Sequence, residues 1–229
     1  MRLQNLSILA LVATLGSPSI AQAQFVTYTS QASFLAAITN PDVDTFAGFS
    51  TTSTTASPIT RNAGPYGYAA FVTDNNEFFG VGSAGNPWLS TNTATDAMTF
   101  ATFTGNVGAV GGNFFGSNID GAFESGDILI TYVDATGTQS TTLRAPTTGS
   151  FFGVVSLSRR INAFTVSAVQ PVDDFLWPTV DNLTLGQTTV PEPGTYALLA
   201  TGLLAIGLVT RRQRACLNDQ ASMRTASAG

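Results

Sequence analysis

The chain has 229 residues, with nine arginines, no lysine, no histidine and one cysteine set against fourteen carboxylates, for a formal charge of −5. Lacking histidine and lysine, and with Cys216 close to the C-terminus, it cannot assemble a Ser-His-Asp triad, a Schiff-base lysine or a typical zinc centre. So few cations also exclude a nucleic-acid partner, which requires arrays of Lys and Arg to displace counterions.

Residues 1–23 read as a secretory signal peptide. Arg2 supplies the positive n-region, residues 6–15 the apolar h-region, and Ala21-Gln22-Ala23 a small-x-small cleavage site, so that Ala21 and Ala23 frame the cut and Gln24 becomes the first mature residue. The implied partners are the Sec translocon and signal peptidase, and the implied destination lies outside the inner membrane.

Residues 24–187 form the exported domain, long enough for one real core. Four arginines (Arg61, Arg144, Arg159, Arg160) face twelve carboxylates there, a formal charge of −8 that suits a soluble secreted surface. No cysteine lies in this stretch, so stability must come from packing rather than a disulfide.

The domain opens with a short β-run (Phe25, Val26, Tyr28), followed by helical spacing over 31–38 with Ser30 as N-cap. The Ser/Thr-rich stretch 50–60 reads as a loop or irregular edge strand. Beyond it, β-runs recur about every ten residues, at 68–73, 77–81, 97–104, 107–115, 127–134, 138–143, 151–157, 162–168 and 180–185. Turn signals separate them, and Asp134-Ala135-Thr136-Gly137-Thr138 between two alternating runs is the clearest hairpin. The fold class is all-β, an antiparallel β-sandwich of jelly-roll type, with one short N-terminal helix and a C-terminal transmembrane helix.

Within the domain, each of the pairs Phe78-Phe79, Phe114-Phe115 and Phe151-Phe152 should place one ring in the core and leave the other semi-exposed. The polar segment 118–127 gathers Asp120, Glu124 and Asp127 with glycine carbonyls, an oxygen-rich set suited to Ca²⁺ or, equally, a solvated acidic turn. Asp181, just ahead of the last strand, is a further candidate Ca²⁺ ligand or a turn former. Paired carboxylates among Glu77, Asp120, Glu124 and Asp127 could also serve a glycosidase. Trp88 and Trp177 stand beside prolines, hence near loops, where they either stack on sugar rings or pack against the sandwich.

Residues 188–194 form a linker with Pro191, Glu192 and Pro193, which cannot continue a helix. Residues 195–210 are uncharged and apolar all round, and the fifteen from Tyr196 would span roughly 22 Å as a helix, a marginal membrane crossing. Arg211, Arg212 and Arg214 open a basic tail, 211–229, that the positive-inside rule places in the cytoplasm.

A Pro-Glu-Pro motif, an apolar run and an arginine cluster in that order resemble the PEP-CTERM protein-sorting signal of Gram-negative bacteria. The resemblance implies an exosortase-type processing enzyme as partner, transient anchoring in the inner membrane, and delivery to the cell surface or medium. The stretches Val110-Gly111-Gly112-Asn113-Phe114-Phe115-Gly116, Phe151-Phe152-Gly153-Val154 and Val180-Asp181-Asn182-Leu183 also resemble the bodies of such exported proteins, which implies a jelly-roll-like sandwich without a defined activity. The expected function is therefore that of a non-catalytic cell-surface or extracellular-matrix protein that takes exopolysaccharide or Ca²⁺. A carbohydrate-active hydrolase and a purely adhesive matrix component are the alternatives.

Overall fold

The computed structural model describes residues 24–188, together with 199, 201–203 and 206. The expected signal peptide at 1–23, most of the linker and of the apolar run, and the tail at 211–229 lie outside the described residues. Leu199, residues 201–203 and Ile206 have helical backbone with exposed side chains. No helix among the described residues is long and apolar enough to cross a membrane.

In chain order the elements are β1 (Phe25–Tyr28), α1 (Gln31–Ala36), β2 (Ile38–Asp44), β3 (Thr54–Ala56), β4 (Ile59–Ala63) and β5 (Tyr66–Val72). A 3₁₀ turn (Thr73–Asn75) leads to β6 (Glu77–Ser83), β7 (Asn86–Thr91), β8 (Met98–Ala101), β9 (Ala109–Ser117) and the two-residue β10 (Phe123–Glu124). The domain ends with β11 (Ile128–Asp134), β12 (Gly137–Leu143), β13 (Phe151–Ser156), β14 (Ile161–Ala168) and β15 (Trp177–Thr188). One sheet runs β1-β13-β9-β15-β7-β6-β3, with β2 paired to the C-terminal half of β15 and β10 to the end of β9. The other runs β12-β11-β14-β8-β5-β4. Every pairing is antiparallel, as the alternation required. The expected two-layer all-β sandwich is what forms.

Alternation decides which side chains enter the layer between the sheets. In β11, Ile128, Ile130 and Tyr132 point inward and meet Phe164 and Val166 of β14, while from the other sheet come Val110 and Phe114 of β9 and Val180, Leu183 and Leu185 of β15. Burying a Leu, Val or Phe contributes about 1.5–3 kcal/mol each, which is what a domain without a disulfide depends on.

The outer face of the first sheet carries a second cluster, built on an absence of side chains. Gly111 of β9 and Gly153 of β13 are a direct cross-strand pair, and together they leave a slot that the Phe34 ring of α1 fills completely. A methyl on Gly153 would lie 2.5 Å from Phe34 Cδ2, and one on Gly186 2.7 Å from Ile38 Cδ1. Ser30 caps α1 as the sequence indicates, its Oγ accepting the Ser33 N–H, but the helix has only six residues. β-Branched Ile38 and Thr39 already belong to β2, and Ile38 drops into the glycine-lined surface beside Phe34.

Two buried carboxylates clamp the sheets at opposite edges. Asp44 of β2 takes a bidentate ion pair from Arg61 of β4, both contacts at 2.7 Å, and a 2.7 Å bond from the Tyr68 hydroxyl of β5. The pairing with Asp44 raises the Arg61 pKa. Burial first, and then the Asp44 charge, hold the Tyr68 phenol far above its ordinary value. Asp134, closing the β11–β12 hairpin opposite Gly137, collects six donors: Gln24 Nε2, the Thr136 N–H and Oγ1, the Gly137 N–H, Ser156 Oγ and Ser158 Oγ. Burial alone would raise its pKa, but these bonds outweigh it and keep the carboxyl well below the ordinary range.

Several expectations are corrected here. Trp88 lies inside strand β7 rather than near a loop, because Pro87 sits opposite Gly82 beyond the two residues of β7 that bond β15, so its missing N–H costs no ladder bond. Residues 38–44, 59–63, 86–91 and 123–124 are strands that composition hid. Phe115 is not semi-exposed: it is fully buried on the outer face, packed edge-on against Trp88 at 5.0 Å and flanked by Phe123. The last strand is longer than the run expected at 180–185, and Asp181 lies within it. β15 begins at Trp177 and absorbs the left-handed Asn182 as a bulge facing β9.

Candidate functional site

Two loops meet at the end of the sandwich where β15 begins. The first, 118–122, folds around Asn118, whose Oδ1 accepts the N–H groups of Asp120 (3.1 Å) and Ala122 (3.0 Å). Gly121 adopts a left-handed φ of +75°, lies over Val81, and offers its carbonyl to the Gly82 N–H. The second loop, 169–176, is knitted by Gln170, whose amide donates to the carbonyls of Ala94 and Leu176 and accepts the Leu176 N–H. The Val169 N–H bonds the Asp127 carbonyl and ties the second loop to the segment that follows the first. Their conformations are thus fixed by their own polar side chains, which leaves the apolar ones free to face outward.

Between the segment that follows the first loop, 124–127, and the second loop lies a cleft of about 360 Å³ walled by Glu124, Asp127, Asp174, Phe175 and Leu176. A smaller cleft of about 220 Å³ is lined by Phe79, Val81, Ile119 and Trp177. Phe175 and Trp177 touch edge-to-face at 6.3 Å, one ring in each cleft, and Phe175 is 61 % exposed. Ile119 of the first loop and Val172 of the second are also exposed. The exposed Phe175 ring and the half-buried Trp177 ring beside hydrogen-bonding carboxylates make an amphipathic surface, apolar on its face and acceptor-rich at its rim.

The structure brings Glu124 and Asp127 to one cleft, but their surroundings differ. Asp127 accepts the Ala145 N–H at 3.0 Å and pairs with Arg144 Nη1; these contacts, the backbone bond foremost, keep its pKa below the ordinary value. The Glu124 side chain is half-buried at the cleft wall. Asp120 sits exposed at the turn tip, apart from both. Asp181 lies on the β15 bulge, not in the cleft; it accepts the Asn182 N–H at 2.8 Å, and burial raises its pKa. Among the described residues no group of three carboxylates is close enough to hold a metal ion. Trp177 reaches the candidate site, whereas Trp88 packs against Phe115 and over Gly82.

Asp174 and Phe175 join the site although sequence reading passed over them. The signal was present in Gln170-Pro171-Val172-Asp173-Asp174-Phe175-Leu176-Trp177-Pro178, an acidic loop closing on two aromatic residues.

The class of protein is therefore a two-sheet β-sandwich whose last strand leads from a loop-built cleft at one end into the C-terminal segment at the other. Residues 189–213 of that segment match the PEP-CTERM protein-sorting motif. Pro191, Glu192, Pro193, Arg211 and Arg212 fall within the match, and Arg214 follows it directly. The motif marks the chain for an exosortase-type enzyme, for export with transient membrane anchoring, and then for the cell surface. No curated protein and no solved structure matches the chain.

Proposed function

We propose that this is a non-catalytic cell-surface or matrix protein that binds neutral exopolysaccharide through the cleft end of a jelly-roll-like sandwich. The observation that carries the reading is the placement of the Phe175–Trp177 pair and the cleft carboxylates at the start of β15. The twelve residues of β15 span about 36 Å at roughly 3.3 Å per step, so the cleft points away from the sorting segment that follows Thr188. A domain held at the membrane by its tail would present this end outward.

The chemistry supports a sugar over the other candidates. The rings offer a stacking surface to the C–H face of a pyranose, and carboxylates accept its hydroxyls. Arg144, the cation beside the cleft, is already paired with Asp127, so a uronic-acid polymer would meet uncompensated like charge. For Ca²⁺ the wall offers Asp127 only at the cost of that pair. As a glycosidase's general acid Asp127 is unsuited, since the Ala145 N–H and Arg144 engage it and hold its pKa down, and Asp181, which is shifted upward, does not line the cleft.

Binding to a neutral polysaccharide and to a polyuronate, followed by calorimetry, tests this directly. The neutral polymer should bind, Phe175→Ala and Trp177→Ala should each weaken binding at least tenfold, and the polyuronate should not bind. Polymer cleavage that disappears in Glu124→Gln would overturn the non-catalytic reading.

A further inference from the structure

The two sheets leave six strands with one open side among the described residues: β1, β2, β3 and β10 in one sheet, β4 and β12 in the other. Open edges invite pairing with another chain, and proteins blunt them by shortness, charge, proline, bulges or cover. Five of the six are blunted. β1, β3 and β10 have four, three and two residues. β2 carries Pro41, Asp42 and a register shift near the left-handed Asn40. β4 follows Pro58 and is tied to β2 by the Arg61–Asp44 pair.

β12 has none of these devices. Its seven residues, Gly-Thr-Gln-Ser-Thr-Thr-Leu, pair with β11 in unbroken register from Gly137 to Leu143, with no charge, proline or bulge. Thr and Ser dominate it, and its middle residues 138–140 are exposed.

The face beside it is equally unusual for so acidic a domain. Reading across the register, one outward row is Ser140-Thr131-Thr165-Thr99-Phe71, and the next is Thr138-Val133-Ala163-Ala101-Ala69-Thr60. Neither row contains an ionisable group. Hydroxyls within the first bond one another, Ser140 to Thr131 at 2.8 Å and Thr99 to Thr165 at 3.0 Å. Two copies of a domain with formal charge −8 repel at most approaches. At this edge and face they meet without placing like charges together.

We propose that β12 is a self-association edge, pairing antiparallel with β12 of a second copy about a two-fold axis so that two six-stranded sheets become one of twelve. Because β12 is the single unblunted edge among the described residues, the assembly closes at two copies. Ser140, at the middle of the strand, lies near its own counterpart across that axis, so a charge placed there opposes itself.

Light scattering of the exported chain across a concentration series, with circular dichroism as the control for folding, tests this. Wild type should double in mass as concentration rises. Ser140→Lys and Ser140→Glu should each remain monomeric at concentrations at least tenfold higher, with unchanged spectra, and an equimolar mixture of the two should recover the dimer. A monomeric wild type, an open-ended polymer, or a Ser140→Lys variant that dimerises like wild type would overturn the proposal. Should one variant fail to fold, the other decides by the same readout.

Discussion

The Phe34 slot can be tested by a double-mutant cycle. A methyl on Gly153 would sit 2.5 Å from Phe34 Cδ2, 2.8 Å from Phe34 Cε2 and 3.0 Å from Phe151 Cε1, well inside normal contact. Such overpacking costs about 1–3 kcal/mol, so Gly153→Ala alone should lower stability by roughly 2 kcal/mol. Phe34→Ala empties a fully buried ring site, at about 3–5 kcal/mol. Once the ring is gone, the methyl added at position 153 has room, and its cost should largely vanish. The double variant should therefore be only about as unstable as Phe34→Ala, a coupling of about 2 kcal/mol toward stability. Urea unfolding of the four proteins, followed by tryptophan fluorescence, measures each corner. Additive losses would refute the slot and leave the glycine pair as an incidental feature of the strands.

Other predictions concern the buried carboxylates. Arg61→Ala strands the Asp44 charge and should cost about 3 kcal/mol, somewhat less than for a sealed pair because Arg61 is 21 % exposed; thermal unfolding reports it. Asp134→Asn cannot accept all six donors and should cost about 3 kcal/mol at neutral pH. Since the folded Asp134 pKa lies below its unfolded value of about 3.9, its contribution is present above that value and lost as pH falls toward the folded one. The variant should accordingly show a flatter acid limb below about pH 4. Asp181 has the opposite sign: its raised folded pKa means the fold gains stability as pH drops through that value, so Asp181→Asn should be at least as stable as wild type at pH 7 and lose this gain on acidification. Stability curves from pH 3 to 8 would show both, and a parallel shift of either variant would contradict the assignment.

Alternation made the inner face of β11 and β14 legible, because Ile128, Ile130, Tyr132, Phe164 and Val166 follow period two without interruption. The Asp134–Gly137 turn was legible for the same local reason. Strand β2 was not, since Asn-Pro-Asp composition reads as a loop while its pairing to β15 is specified by residues at the far end of the domain. The extent of β15 was hidden by Pro178 at its start and by the bulge at Asn182. In the site, Glu124, Asp127 and Trp177 were found as types with an oxygen or a ring to offer. Their grouping with Asp174 and Phe175 depends on the Val169–Asp127 bond and the Gln170 network, contacts between loops far apart in sequence. The clamps escaped for the same reason: Asp44 sits in no motif, and Asp134, though part of the legible hairpin, acquires Gln24, Ser156 and Ser158 only when the sheets close.

The sorting motif at 189–213 is the most direct statement the chain makes about its fate, and it implies processing by an exosortase-type enzyme. Intact mass of the exported protein tests this in one measurement. The account predicts an N-terminus at Gln24 and a C-terminus at or near Pro191–Pro193, without the apolar run, the arginines or Cys216. A mass that retains Gly229 in the exported form would contradict it.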